Sequence, residues 1–168
     1  MASTLKPLYG SSAALTTTNL QSLASSSTYV AGWSSAVIDN TSNLSIDEIV
    51  TGIIKVGTSP SAGTAVEIWA WEILDDTPTY PDTITGSESG SITLTSGNVK
   101  NGGAFKAATA IVLDNTSSRT YPFTFRLSNV FGLAMPKKWG IFITQASTVA
   151  LASSGNVITR IPVQFQNV

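Results

Sequence analysis

The apolar and β-branched positions from residue 28 onward fall into short runs, separated by clusters of Gly, Pro, Asn, Asp and Ser. This pattern is typical of the strands and turns of a β-sandwich. The runs predict strands near Tyr29–Ile38, Ile46–Val56, Ala65–Leu74, Ser91–Thr95, Ala104–Leu113, Tyr121–Val130, Trp139–Gln145 and Val157–Phe165. About eight strands is the number found in a jelly roll. We therefore predict an all-β fold, a jelly-roll-like antiparallel β-sandwich.

The run Ile46–Val56 also fits a helix. Ser45 and Glu48 have the spacing of a capping box, and the apolar residues that follow recur at helical intervals. The strand interpretation is favoured because most of these apolar residues are β-branched and Gly52 lies in the middle of the run, and both features weaken a helix.

The run Ala65–Leu74 is apolar on both faces. Val66, Ile68 and Ala70 alternate with Trp69, Trp71 and Ile73, so the second set lies on the opposite side of the strand. A strand buried on both sides needs a cover over its second face, which a loop, the N-terminal segment or a neighbouring subunit can supply. Trp69, Trp71 and Ile73 are therefore candidate residues of an oligomer interface. The alternative is that the two tryptophans fill a wide core under the loop 75–81.

Residues 1–27 are rich in Ser and Thr and contain few apolar side chains. Such a segment buries too little apolar surface to offset its ordering entropy. We therefore expect an extended N-terminal arm over residues 1–27, loose or ordered only against a partner, followed by a sandwich domain over residues 28–168. A short helix around residues 15–23, lying on the sandwich, is the alternative.

The charge content excludes some partners. Only 11% of the residues are charged, the formal net charge is −1, and the one adjacent pair of cations that stands out is Lys137-Lys138. Binding to nucleic acid or to an anionic membrane requires clustered Lys and Arg, so neither is an expected partner. The N-terminus also lacks the pattern of a secretory signal, and no run of about 18 apolar residues occurs.

Histidine and cysteine are both absent. Their absence removes the common general base, thiolate chemistry and most metal ligands, so we predict no enzyme activity, no catalytic residues, no cofactor and no metal site. Carboxylates remain: Asp75, Asp76 and Asp82 flank a proline-containing loop and could act on a glycosidic bond or bind calcium. The simpler interpretation is a solvated turn between strands.

The aromatic residues suggest another role. Trp33, Tyr80 and Tyr121 are candidates for a sugar-stacking platform, because such rings bind pyranoses through apolar contact and polar edges. Burial in the core or in a subunit contact is the alternative.

Four segments of the chain resemble structural proteins of tailed bacteriophages. They are the Ser/Thr-rich start leading into Tyr29-Val30-Ala31, the turn 57–64 before Val66–Ala70, the segment Asn115–Tyr121, and the segment Pro136–Thr144. The resemblance implies a virion protein with a jelly roll or related sandwich that decorates or cements the capsid as a symmetric oligomer.

From this resemblance we expect a homotrimer that binds the major capsid protein at the capsid surface after synthesis in the host cytoplasm. It would bridge neighbouring capsid subunits and stabilise the assembled shell. A carbohydrate-binding sandwich of a tail or host-recognition apparatus is the alternative, and an enzyme that uses the three aspartates is the third hypothesis.

Overall fold

The structure is a computed structural model that describes residues 4–73, 75, 77–132 and 134–167. Within these residues the chain forms eleven strands and one short α-helix. They are β1 (Leu5–Tyr9), β2 (Ala13–Ala14), β3 (Ala31–Ser34), β4 (Ile38–Asp39), β5 (Asp47–Lys55), β6 (Ala65–Glu72), β7 (Ser89–Thr93), β8 (Phe105–Val112), β9 (Thr120–Arg126), α1 (Leu127–Phe131), β10 (Lys138–Gln145) and β11 (Val157–Asn167). Two 3₁₀ turns, Thr18–Leu20 and Gly97–Asn101, complete the regular structure.

The strands form two antiparallel sheets. Sheet I has the order β1-β11-β5-β9, and the short β2 also pairs with β11. Sheet II has the order β7-β3-β10-β6-β8, and the short β4 also pairs with β10. The two sheets pack face to face, so the predicted all-β antiparallel sandwich is confirmed.

Each predicted strand run overlaps an observed strand, with boundaries that differ by up to two residues at most ends and two larger differences. The first run is divided into β3 and β4. The sixth ends at Arg126, where α1 begins. The Asp47 carboxylate accepts a hydrogen bond from the Ser128 N–H at 3.0 Å in the first turn of this helix, and Gly132 ends it with a φ of 81°.

The segment with helical spacing is a strand. β5 pairs with β11 on one side and with β9 on the other, so it is a central strand of sheet I. Gly52 is required at its position, because an added Cβ would lie 2.5 Å from the Val157 carbonyl oxygen and 2.6 Å from the Phe123 ring. Tertiary pairing therefore overrides the local helix signal.

The described part of residues 1–27 is ordered against the chain's own sandwich, in contrast to the expected arm that needs a partner. β1 pairs with β11 over five residues, and Leu20 and Leu23 are buried in the core. Glu88 accepts hydrogen bonds from the Asn19 backbone N–H at 2.7 Å and from its side-chain amide. Backbone pairing and hydrogen bonds to polar side chains thus supply the order that the few apolar residues alone would not.

The buried apolar residues of the described chain form two clusters. The first lies between the sheets and includes Val50, Ile68 and Trp139. The second lies on the outer side of sheet II, where the chain between β6 and β8 folds back over Trp71 and Phe142. The central part of sheet II is therefore covered on both faces by this chain, whereas Val112 at the end of the edge strand β8 is 70% exposed.

Candidate interaction surface

The structure places the predicted interface residues at different depths. Trp71 has no exposed surface; its indole N–H donates to the Ser34 hydroxyl at 3.2 Å, and its ring meets that of Tyr80 edge-on at 5.9 Å. Trp69 and Ile73 are half-buried and pack against the same cluster. The cover over the second face of β6 is thus supplied by the connection that follows it. A subunit contact at Trp69 and Ile73 stays a prediction.

Lys100 holds part of that cover in place. Its ammonium group lies 2.6 Å from the Glu67 carboxylate, 3.1 Å from the Tyr29 carbonyl oxygen and 4.8 Å from the centre of the Trp69 ring. The side chain is only 8% exposed. These three contacts of Lys100 hold the 3₁₀ turn Gly97–Asn101 against sheet II. Nothing in the sequence pattern singled out Lys100.

The three candidate sugar-stacking residues do not form a platform. Trp33 is fully buried and donates its indole N–H to Glu88 at 2.7 Å. Tyr80 packs against the Trp71 ring, and Tyr121 donates its hydroxyl to Asp114 at 2.8 Å. The structure therefore supports burial for these rings.

The candidate carboxylates have local partners. Asp82 accepts hydrogen bonds from the backbone N–H and the hydroxyl of Thr95 at 2.8 and 2.9 Å, and Asp75 accepts one from the Thr79 hydroxyl at 3.1 Å. Asp76 lies outside the described residues. Among the residues that the structure describes, no group of three or more acidic, Cys or His side chains could hold a metal ion.

The outer face of sheet I is the most apolar exposed surface of the described chain. In β5 and β11 the even-numbered residues Val50, Ile54 and Ile158 point into the core, so the odd-numbered ones point outward. The strand register extends this outward row across β9 and β1. We call the following set the sheet I outer face: Leu5, Pro7, Tyr9, Ile49, Ile53, Pro122, Val157, Ile161 and Phe165.

This face concentrates the exposed apolar side chains. Among the described residues nine large apolar side chains are exposed, and five of them lie here: Leu5 64%, Tyr9 56%, Ile53 41%, Val157 47% and Phe165 58%. Scattered exposed apolar residues are normal, whereas a contiguous patch marks an interaction site. The alternation of Val157, Ile161 and Phe165 along the last strand is a sequence signal that could have indicated this face.

The charged side chains Asp47 and Arg126 on this face form an ion pair with each other. Arg126 lies 3.5 Å from the Asp47 carboxylate, and its guanidinium also lies 3.5 Å from the Tyr9 hydroxyl. The centre of the face carries the small hydroxyl residues Thr51, Thr124 and Thr159, which sit side by side in register. A partner that covers the face therefore meets mainly apolar groups and hydroxyls, and Lys55 adds a cation at the edge of the face, at the end of β5.

A buried ion pair lies on the inner side of the same sheet. Arg160 donates to one oxygen of the Glu48 carboxylate at 2.8 Å, while the other oxygen has no hydrogen-bond partner among the described residues. Burial raises the pKa of Glu48 above its ordinary value, and the neighbouring Arg160 opposes that shift. This pair holds β5 and β11 together beneath the sheet I outer face.

A cavity opens at the end of the sandwich where β6 ends and β10 begins. Its volume is about 560 Å³. Its lining residues are Thr41, Glu72, Ile73, Asp75, Pro136, Lys137 and Lys138. Because acidic and basic side chains alternate around it, the lining does not favour a ligand of one charge.

Comparison of the chain with protein-family models, with curated proteins and with solved structures gives no match. In the described part of the chain, no helix has the length and apolar character needed to cross a membrane.

Proposed function

We propose that this protein is a non-catalytic structural component of a phage virion, most specifically a decoration or cement protein that binds the assembled shell of major capsid protein. The observation that carries the proposal is the sheet I outer face. An uncovered apolar sheet face beside a second sheet that is covered by its own chain is the arrangement expected of a protein that works by association with protein surfaces.

The strand order supports a jelly roll as the finer description of the sandwich. The order β1-β11-β5-β9 lies opposite β3-β10-β6-β8, and the chain passes repeatedly from one sheet to the other. In this interpretation β7 is an extra edge strand, added by the long connection between β6 and β8. Jelly rolls occur in viral capsid proteins and in lectins.

The proposed mechanism needs binding energy alone. A protein that binds the assembled shell and not its separated subunits stabilises the shell by mass action, by about 2.7 kcal/mol per site at a concentration ~100 times its dissociation constant. The same stabilisation free energy is gained at every occupied site of the shell. The stabilisation therefore comes from many weak contacts.

The copy number of the chain in particles tests the proposal. Particles are purified from a phage lysate whose genome encodes this chain, and the chain is quantified against the major capsid protein by mass spectrometry. We expect copies on the order of hundreds per particle, as repeated binding to the shell requires. A handful of copies would indicate a vertex or tail component, and absence from the particles would contradict the proposal.

One observation favours a second candidate, a carbohydrate-binding role. Tyr9 and Phe165 are more than half exposed on the same face, and exposed aromatic rings bind sugars through their apolar faces. A glycan array distinguishes the two functions. Sugar binding that free sugar competes away and that Tyr9→Ala abolishes would favour the second candidate.

A further inference from the structure

We propose that the sheet I outer face is the interface of a homodimer, in which two copies of this chain stack face to face about a two-fold axis. The proposal rests on the proposed function and narrows it: in the free protein a second copy covers this face, and a two-fold dimer takes the place of the homotrimer that the resemblance implies. It requires no virion partner and can be tested on the purified chain.

The size of the face fits a dimer contact. β11, β5 and β9 lie side by side at ~4.8 Å, which gives a width of roughly 14 Å, and the nine residues of β5 at ~3.3 Å each give a length of roughly 30 Å. β1 pairs only with the last residues of β11, so these two strands extend the face beyond the end of β5 by roughly 13 Å. The flat area is therefore about 550 Å² per copy, or about 1,100 Å² for two copies, which exceeds the ~1,000 Å² expected of a biological interface. Protruding side chains such as Tyr9 and Phe165 add to this area.

The chemistry of the face suits a second copy. An interface on a two-fold axis joins one surface to itself, so that surface must not repel its own copy. The Asp47–Arg126 pair is neutral, and the central residues Thr51, Thr124 and Thr159 carry no charge. Two stacked copies would thus bury apolar side chains and small hydroxyls around a neutral centre.

The edges of sheet I favour stacking over edge-to-edge pairing. β1 and β9 are the edge strands, and each contains a proline, Pro7 and Pro122. Proline lacks the N–H that an added strand would need, and it is a common protection of sheet edges. The exposed face, rather than an edge, is therefore the part of sheet I that is suited to a second molecule.

The sedimentation-velocity mass of three proteins tests the dimer: the unaltered chain, Phe165→Asp and the control Leu44→Asp. Leu44 is 72% exposed but lies in the loop between β4 and β5, away from the face. At about 50 micromolar we expect twice the 17.5 kDa chain mass for the unaltered chain and for Leu44→Asp. Phe165→Asp should weaken the dimer about 100-fold and sediment as a monomer.

Cross-linking provides a second test that does not depend on a charged substitution. The chain contains no cysteine, so Thr159→Cys and the control Thr93→Cys each introduce a single thiol. Thr159 lies at the centre of the face, whereas Thr93 is exposed on the edge strand β7 of sheet II. A short bis-maleimide should join two copies through Thr159→Cys and leave Thr93→Cys monomeric.

A monomeric unaltered chain, a trimer, or equal cross-linking at the two sites would overturn the dimer. The proposed function has a separate outcome, since high copy number in particles can be observed whatever the mass of the free protein.

Discussion

The outward faces of the two sheets both carry apolar side chains, but those of sheet II are mostly buried and those of sheet I are mostly exposed. On sheet II the outward residue Trp71 is fully buried, because the long connection between β6 and β8 folds over it. On sheet I the outward residue Phe165 is 58% exposed, and no described segment of the chain covers it. An apolar outer face is therefore left open to a partner only where the chain does not cover it.

The buried ion pairs of the two sheets differ in a similar way. On sheet II the Lys100–Glu67 pair also binds the Tyr29 carbonyl oxygen and the Trp69 indole N–H, which donates to Glu67 at 3.0 Å. On sheet I the Glu48–Arg160 pair leaves one carboxylate oxygen without a described partner. An incompletely satisfied buried pair stabilises less and responds more to pH.

The largest loss of unfolding free energy is expected from a substitution beneath the cover of sheet II. Trp71→Ala removes a fully buried indole and leaves a cavity, so the free energy of unfolding should fall by about 3–5 kcal/mol. Phe165→Ala, on the uncovered face, should cost at most about 0.5 kcal/mol for the monomer. Urea denaturation at a concentration low enough to keep both proteins monomeric measures the two values. Equal losses would contradict the assignment of one face as core and the other as surface.

A smaller loss of unfolding free energy is expected from removing the cation of the ion pair beneath the sheet I outer face. Arg160→Met leaves the Glu48 carboxylate buried without its cation, and the free energy of unfolding at pH 7 should fall by about 3 kcal/mol. The loss should shrink at pH 4, because a protonated Glu48 has no charge to compensate. Denaturation of the variant at both pH values measures the change. A loss that is the same at pH 4 and pH 7 would show that Arg160 acts through packing alone.

The smallest effect is the pH dependence of the intact Glu48–Arg160 pair. Because the pKa of Glu48 is raised in the folded state, the folded protein binds more protons than the unfolded chain above about pH 4.3. Stability from this group is therefore complete below that pH and is lost as pH rises through the raised pKa, with a slope of at most about 1.4 kcal/mol per pH unit. Glu48→Gln, which keeps the shape, should remove this slope. An unchanged slope in the variant would assign the pH dependence to another group.

The strand pattern and the sandwich could be predicted because β-branched runs and turn residues are local signals. The double-sided apolar character of the run Ala65–Leu74 also indicated a covered second face. The sequence could not show that residues 77–104 supply that cover, because this depends on contacts such as Lys100 with Glu67, far apart in the chain. It also could not show that β1 pairs with β11, since backbone hydrogen bonds between distant segments leave no side-chain pattern.

The sheet I outer face was harder to recognise because its apolar residues come from four separate strands. Each strand alone carries only a few of them, and the patch forms when the register places Pro7 beside Phe165, Ile161 beside Ile49, and Val157 beside Ile53.

The central claim is that the sheet I outer face is the association surface. Hydroxyl-radical footprinting of the unaltered chain over a range of protein concentrations tests it most directly, because the reagent oxidises exposed aromatic and aliphatic side chains. Oxidation of Tyr9 and Phe165 should fall as concentration rises, while that of Leu44, exposed elsewhere, should stay constant. Constant oxidation of Tyr9 and Phe165 at every concentration at which the chain sediments as an oligomer would contradict the claim.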